Sequence, residues 1–173
     1  MKALSFWKAV TMDKANLLEE VLALLREHDI RYCVIGGQAV NAYVEPLVSL
    51  DLDLAVAVDQ ISQVRRLMQK SFQVEEFTHS LNVSSAGSNL RIQIQTDPRY
   101  GDFVSRASER EVLGLRLPVA SIDDVLQGKI WAASDPERRA TKRRKDLLDI
   151  ARILEANPQL EARVPSAILK EIG

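Results

Sequence analysis

The chain has 173 residues, 46% hydrophobic, 27% charged and 5% aromatic, which excludes a disordered or collagen-like polymer and suits one globular domain with a real core. Its 23 Lys and Arg nearly balance 24 Asp and Glu, and a net charge of −1 gives no overall polyanion-binding character. The balance is uneven, because Arg138, Arg139, Lys142, Arg143, Arg144 and Lys145 form a cationic run without an acid and leave the remainder acidic.

In chain order, Leu17, Leu18, Val21, Leu22, Leu24 and Leu25 recur at helical spacing, with Asp13 placed to cap the start. Arg31 to Ile35 reads as a short buried strand ending at Gly36-Gly37. Gln38 to Val44 starts a helix that Pro46 terminates. Leu50 to Val58 alternates strictly, as a strand with Leu50, Leu52, Leu54, Val56 and Val58 toward the core. Asp59 is placed to cap a helix carrying Ile61, Val64, Leu67 and Met68 on one face. Phe72 to Phe77 and Leu90 to Gln95 read as strands separated by a polar turn at 84–89, and Glu111 to Val119 as two strands broken near Gly114. From Ser121 the pattern becomes helical. Ser121 and Asp124 have capping-box spacing, Asp135-Pro136 signals a second helix start, and Leu147, Ile150, Ala151 and Leu154 mark its apolar face before Asn157-Pro158.

This order predicts an α+β fold, a mixed β-sheet flanked by helices, with a core over 1–119 and a helical C-terminal region over 120–173 packed on it. The lone Cys33 excludes an internal disulfide and reads as a small buried hydrophobe. Lys8 interrupts the apolar N-terminal stretch, so no signal peptide is read, and no apolar run reaches the ~20 residues of a membrane span. The expectation is a cytoplasmic protein without a membrane partner.

Asp51 and Asp53 carry the sharpest chemical signal. Residues two apart on a strand share a face, so the two carboxylates stand side by side. At ~4 Å their repulsion is ~1 kcal/mol in water and ~4 kcal/mol at an effective dielectric near 20. Such a pair calls for a cation, and a hard divalent ion such as Mg²⁺ (or Mn²⁺) takes one or two carboxylates plus substrate phosphates. Gly36-Gly37, at the junction of strand and helix, lets backbone approach a phosphate closely. Together the two elements read as a phosphate cradle beside a metal-binding pair.

Val34-Ile35-Gly36-Gly37 followed by Leu50-Asp51-Leu52-Asp53-Leu54 resembles the nucleotidyltransferase superfamily with the DNA polymerase β-like fold. Gln38-Ala39-Val40, Ser49, Lys129 and Arg143-Arg144-Lys145-Asp146-Leu147-Leu148-Asp149 make it most similar to the AbiEii (type IV toxin–antitoxin) nucleotidyltransferases, over roughly Tyr32 to Leu154. The resemblance implies an enzyme that moves a nucleoside monophosphate from an NTP such as ATP to a hydroxyl of an RNA (tRNA) or a protein. It further implies a toxin role with an antitoxin partner. By the same resemblance Asp51, Asp53, Lys129 and Asp146 form the catalytic set. Asp51 and Asp53 hold Mg²⁺ or Mn²⁺, and Gly36, Gly37, Ser49, Lys129 and Lys145 bind the nucleotide. The basic run positions phosphates of nucleotide or RNA.

Two positions depart from the family pattern. Leu47 stands where relatives carry Arg, and Gln93 where they carry a third carboxylate. Gln95 and Asp97 share the face of Gln93, so Asp97 is the candidate replacement acid. The alternative function is a catalytically impaired member acting as a nucleotide- or RNA-binding module. His28 and His79 have no spaced partners for a zinc site.

Overall fold

The computed structural model describes Ser5 and residues 16–173. The capping position Asp13 and the charge at Lys8 lie outside the described residues. Helix α1 (Leu17–Glu27) follows Asn16, which has a left-handed backbone, and buries Leu17, Leu18, Val21, Leu22 and Leu25. Strand β1 (Tyr32–Ile35) runs directly into the short helix α2 (Gly36–Asn41), so the two glycines form the first helical turn instead of a loop before it. Strand β2 (Asp51–Val56) is shorter than its alternation suggested. Leu50 and Val58 fall outside it and are exposed, because the flanking strands end there too.

A 3₁₀ turn over Val58–Gln60 leads into helix α3 (Ile61–Ser71). Asp59 does not cap it; both its carboxylate oxygens accept hydrogen bonds from Arg31 Nη2, at 2.6 and 2.7 Å. Strands β3 (Gln73–Glu76), β4 (Ser80–Ser84) and β5 (Arg91–Gln95) follow as a meander. Sequence reasoning missed β4, since its apolar pattern amounts to Leu81 and Val83 between polar neighbours, too short a run to register. It also missed a 3₁₀ segment over Pro98–Arg106. Strands β6 (Ser108–Val112) and β7 (Leu115–Val119) form a hairpin through Leu113 and Gly114, both at positive φ.

Helix α4 (Ile122–Ser134) starts as expected, with the Ser121 hydroxyl accepting from the Asp124 N–H at 3.2 Å. Asp135 caps a turn, accepting from the Glu137 N–H, and helix α5 (Ala140–Ala156) begins only after Arg139. Its buried residues are Asp146, Asp149, Ile150 and Ile153, while Leu147, Ala151 and Leu154 are half-buried. A 3₁₀ turn over Pro158–Arg163 and helix α6 (Ser166–Ile172) close the chain against α5.

The seven strands form one mixed sheet in the order β3-β4-β5-β2-β1-β7-β6. The centre is β2, antiparallel to β1 and parallel to β5. Leu52 and Leu54 are fully buried, and on the next strand Ile92 and Ile94 do the same. Cys33 is buried beside them, and desolvation pushes its thiol up to about 12, so it packs as a hydrophobe and offers no thiolate. Helix α2 contacts β2, α4 and α5, which brings the second half of the chain over one end of β1 and β2.

Candidate active site

The antiparallel register sets Ile35 opposite Asp53, so the end of β1 and the start of β2 meet at one edge. Parallel pairing of β2 with β5 sets Asp51 beside Arg91 and Asp53 beside Gln93. The two carboxylates thus occupy different surroundings. Asp51 is partly exposed and accepts from Arg91 Nε at 3.0 Å, so the cation that sequence reasoning demanded for the pair is supplied in part by the protein. Asp53 points inward. Its Oδ1 is buried and has no hydrogen-bond partner. Burial pushes its carboxyl up to about 6, with Lys129 opposing the shift and the like charge of Asp51 adding to it.

Gly36 is held at a φ of +69°, and a β-carbon there would collide with Asp53 Oδ2. Only glycine lets the first turn of α2 lie against this carboxylate. A side chain at Gly37 would meet nothing within 4 Å, which leaves backbone open to a ligand. The Ser49 hydroxyl accepts from the Asp51 N–H at 3.2 Å and lines the same opening.

The opposite wall comes from α4 and α5. Lys129 is almost enclosed, with Nζ 2.9 Å from Asp149 Oδ2 and 3.2 Å from Asp146 Oδ1. Burial works against its charge, yet Asp149 and Asp146 hold its pKa above the ordinary lysine value. Asp146 is also nearly sealed and accepts from Arg138 Nε at 2.9 Å and Nη2 at 3.2 Å. Its carboxylate therefore holds two cations and is not free.

Between the walls lies a groove of about 470 Å³. It is lined by Gly37, Ser49, Asp51, Asp53 and Gln93 on one side and by Lys129, Arg138, Arg139, Lys142 and Lys145 on the other. Leu47, Val48, Leu50 and Leu148 stand exposed at its rim. A smaller cavity of about 70 Å³ continues behind Asp53 toward Gln93, Gln95, Tyr100 and Gly128.

Of the residues singled out from sequence, Gly37, Ser49, Asp51, Asp53, Gln93, Lys129, Arg138, Arg139, Lys142, Lys145 and Asp146 line this groove, and Gly36 and Gln95 line the cavity behind it. Asp97 turns to cap the 3₁₀ segment, accepting from the Arg99 N–H at 3.0 Å and from its guanidinium at 2.9 Å, and it lines neither the groove nor the cavity. The third-acid position next to Asp53 is Gln93 alone. The basic run also divides. Arg143 points away, donating to Ala133 O and, through both Nη atoms, to Glu171 at 2.7 Å, and Arg144 does not reach the groove. Sequence reasoning missed Arg91, which pairs with Asp51, and Arg152, which pairs with Asp149. The signal for Arg152 lies in the spacing of Lys142, Lys145, Asp149 and Arg152, a polar stripe on one face of α5.

Two carboxylates, one with an unpartnered buried oxygen, are hard donors of the kind Mg²⁺ or Mn²⁺ takes, and Gln93 lines the same groove from the register position beside Asp53. Among the described residues, no group of three or more His, Cys, Asp or Glu forms a metal-holding cluster. Among them, too, no helix is long and apolar enough to cross a membrane.

Solved structures share this architecture. The antibiotic-resistance factor ANT(2″)-Ia, in complex with adenylyl-2″-tobramycin, aligns with a TM-score of 0.60 at 13% identity, over 91% of this chain and 97% of its own. The lincosamide antibiotic adenylyltransferase LnuA, with lincomycin bound, aligns with a TM-score of 0.53 at 13% identity, over 83% and 99%. A nucleotidyltransferase-like protein of Thermotoga maritima aligns with a TM-score of 0.51 at 14% identity, over 78% and 92%. At such identities the likeness establishes the nucleotidyltransferase fold. No curated protein matches the sequence. Residues 37–172, most of the chain, match the family described as nucleotidyl transferase AbiEii toxin of the type IV toxin–antitoxin system, and the chain belongs to that family.

Proposed function

We propose that the protein transfers a nucleoside monophosphate from an NTP to a hydroxyl of an RNA, such as tRNA, or of a protein, and acts as the toxin of a toxin–antitoxin pair. The acceptor oxygen bonds to the α-phosphorus as the bond to the β-phosphate breaks, and pyrophosphate leaves. The observation that carries this reading is the Asp53 carboxylate, whose Oδ1 is buried and unpartnered while its Oδ2 lies against Gly36, across the groove from a cationic wall. An oxygen kept dry and unsatisfied costs stability unless a ligand completes it. Asp51 and Asp53 would hold Mg²⁺ or Mn²⁺, which when bound neutralises phosphate charge and orients the triphosphate.

The chain's own groups then divide the work. Gly36 and Gly37 present backbone to the phosphates, with Ser49 at the same opening. Lys129, kept charged by Asp146 and Asp149, adds fixed positive charge, and Lys145 and Lys142 offer flexible charge nearer to solvent. Asp146 acts by orienting Lys129 and Arg138. Calorimetric titration with each NTP tests the reading. Binding is expected to require Mg²⁺ and to fail in Asp53→Asn, and metal-independent binding unaffected by that change would contradict it.

Gln93 favours a second reading, a member that binds nucleotide or RNA without turnover. It sits in the position next to Asp53 where a carboxylate could take the acceptor's proton, and an amide cannot. Gln93→Asp distinguishes the two. If the missing base limits turnover, transfer should rise by ~10²–10⁴-fold. If the wild type is already fully active, the change should leave transfer unaltered.

A further inference from the structure

Residues 45–50, which follow the core-packed Ala42, Tyr43 and Val44 and lead into β2, run along the groove with no buried apolar side chain. Leu47 is 50% exposed, Val48 68% and Leu50 40%, so burial does not fix their course. Polar ties do. The Leu47 N–H donates to Asn41 Oδ1 at 3.0 Å, and Asn41 Nδ2 donates back to Leu47 O at 2.7 Å. Asn41 is held in turn by Arg152, whose Nη2 donates to Asn41 Oδ1 at 3.0 Å and to Glu45 O at 2.6 Å. Arg152 Nη1 donates to Asp149 Oδ1 at 2.7 Å, and the other oxygen of Asp149 holds Lys129. Both partners of this pair are largely buried, at 14% and 12% side-chain exposure. One guanidinium thus joins three separate pieces of the groove: the 45–50 segment that enters β2, helix α2 below it, and the carboxylate that fixes Lys129.

We propose that Arg152 is a positioning residue that sets the spacing between the carboxylate strand and the cationic helix, and so the affinity of the groove for a metal–nucleotide triphosphate. The inference rests on the nucleotidyltransferase reading for its ligand, but its structural half does not. A planar fork with five donors spans three acceptors in fixed directions, and a lysine ammonium does not. Arg152→Lys keeps the charge next to Asp149 and gives up the fork. Without the ties to Asn41 and Glu45, the segment is free to open locally while the core stays closed.

The test combines hydrogen–deuterium exchange with calorimetric titration of Mg·NTP, on wild type, Arg152→Lys and Asn41→Ala, at a temperature where all three are folded. Asn41→Ala cuts the same chain of bonds at a different link. Both variants should exchange faster by about tenfold in peptides covering 45–50, with β4 and β5 unchanged, and should bind Mg·NTP about tenfold more weakly. Unchanged exchange in that segment overturns the proposal whatever the nucleotide does. Faster exchange with wild-type affinity overturns it as well, because the segment would then be loose without consequence for the groove. A wild type that binds no Mg·NTP at all overturns the nucleotidyltransferase reading instead, and is seen before any variant is measured.

Discussion

Asp51 and Asp53 sit two residues apart on one strand, yet their energetics are opposite. Arg91 neutralises Asp51 at the surface, whereas Asp53 is buried with an orphaned oxygen. The folded protein holds the Asp53 proton up to about pH 6, well above the ordinary carboxylate value near 3.8. Between those two pH values the folded state binds more proton than the unfolded chain, so stability falls as pH rises through the window. Above it the full cost of a buried charge is present, on the order of 3 kcal/mol. Asp53→Asn should therefore match wild type in melting temperature near pH 4 and exceed it near pH 7 in the absence of metal, as scanning calorimetry would show. Saturating Mg²⁺ should narrow the gap by stabilising wild type alone. A variant less stable than wild type at both pH values would mean that Asp53 serves packing and not a ligand. The surroundings of Asp53 could be foreseen only in part. Strand alternation placed it on one face with Asp51 and Gln93, but Arg91 lies 40 residues from Asp51, and nothing local announces their contact.

Helix α5 carries two roles on two faces. Lys142, Lys145, Asp149 and Arg152 line the groove, while Arg143 turns to α6 and grips Glu171. Sequence reasoning searched this helix for apolar periodicity and found Leu147, Ile150, Ala151 and Leu154. The face that decides the site is the polar one, in which Asp146 and Asp149 are buried because each holds cations. Exchanging Arg139, Lys142 and Lys145 together for Gln should flatten the slope of log affinity against log salt for single-stranded RNA. Each lost phosphate contact removes ~0.7 of a unit. Arg143→Gln should lower the melting temperature by releasing α6 and leave the slope alone. An equal loss of slope from Arg143→Gln would mean that the whole run binds as one diffuse patch.

At the scale of the molecule, three stretches distant in sequence converge on one groove: the β1–α2 junction with Gly36, the β2 and β5 pair with Asp53 and Gln93, and α4 with α5. The first two were legible because their chemistry is local, a strand that stops at two glycines and a strand with alternating carboxylates. The mixed sheet was legible as a class, while β4 and the 3₁₀ segment after β5 were not, since neither has a period long enough to read. The closure by α4 and α5 was suggested by resemblance, and its polar ties join residues far apart in the chain, 17 residues between Lys129 and Asp146 and 111 between Asn41 and Arg152. Such pairs leave no pattern in a single chain. The central claim is that this groove moves a nucleoside monophosphate. Its most direct test is incubation with each NTP labelled at the α-phosphate, with Mg²⁺ and total tRNA or cell lysate. Label should appear on an acceptor with wild type, pyrophosphate should form in equal amount, and both should vanish with Asp53→Asn. Label transfer that persists in Asp53→Asn, or tight Mg·NTP binding with no label on any acceptor, would contradict it.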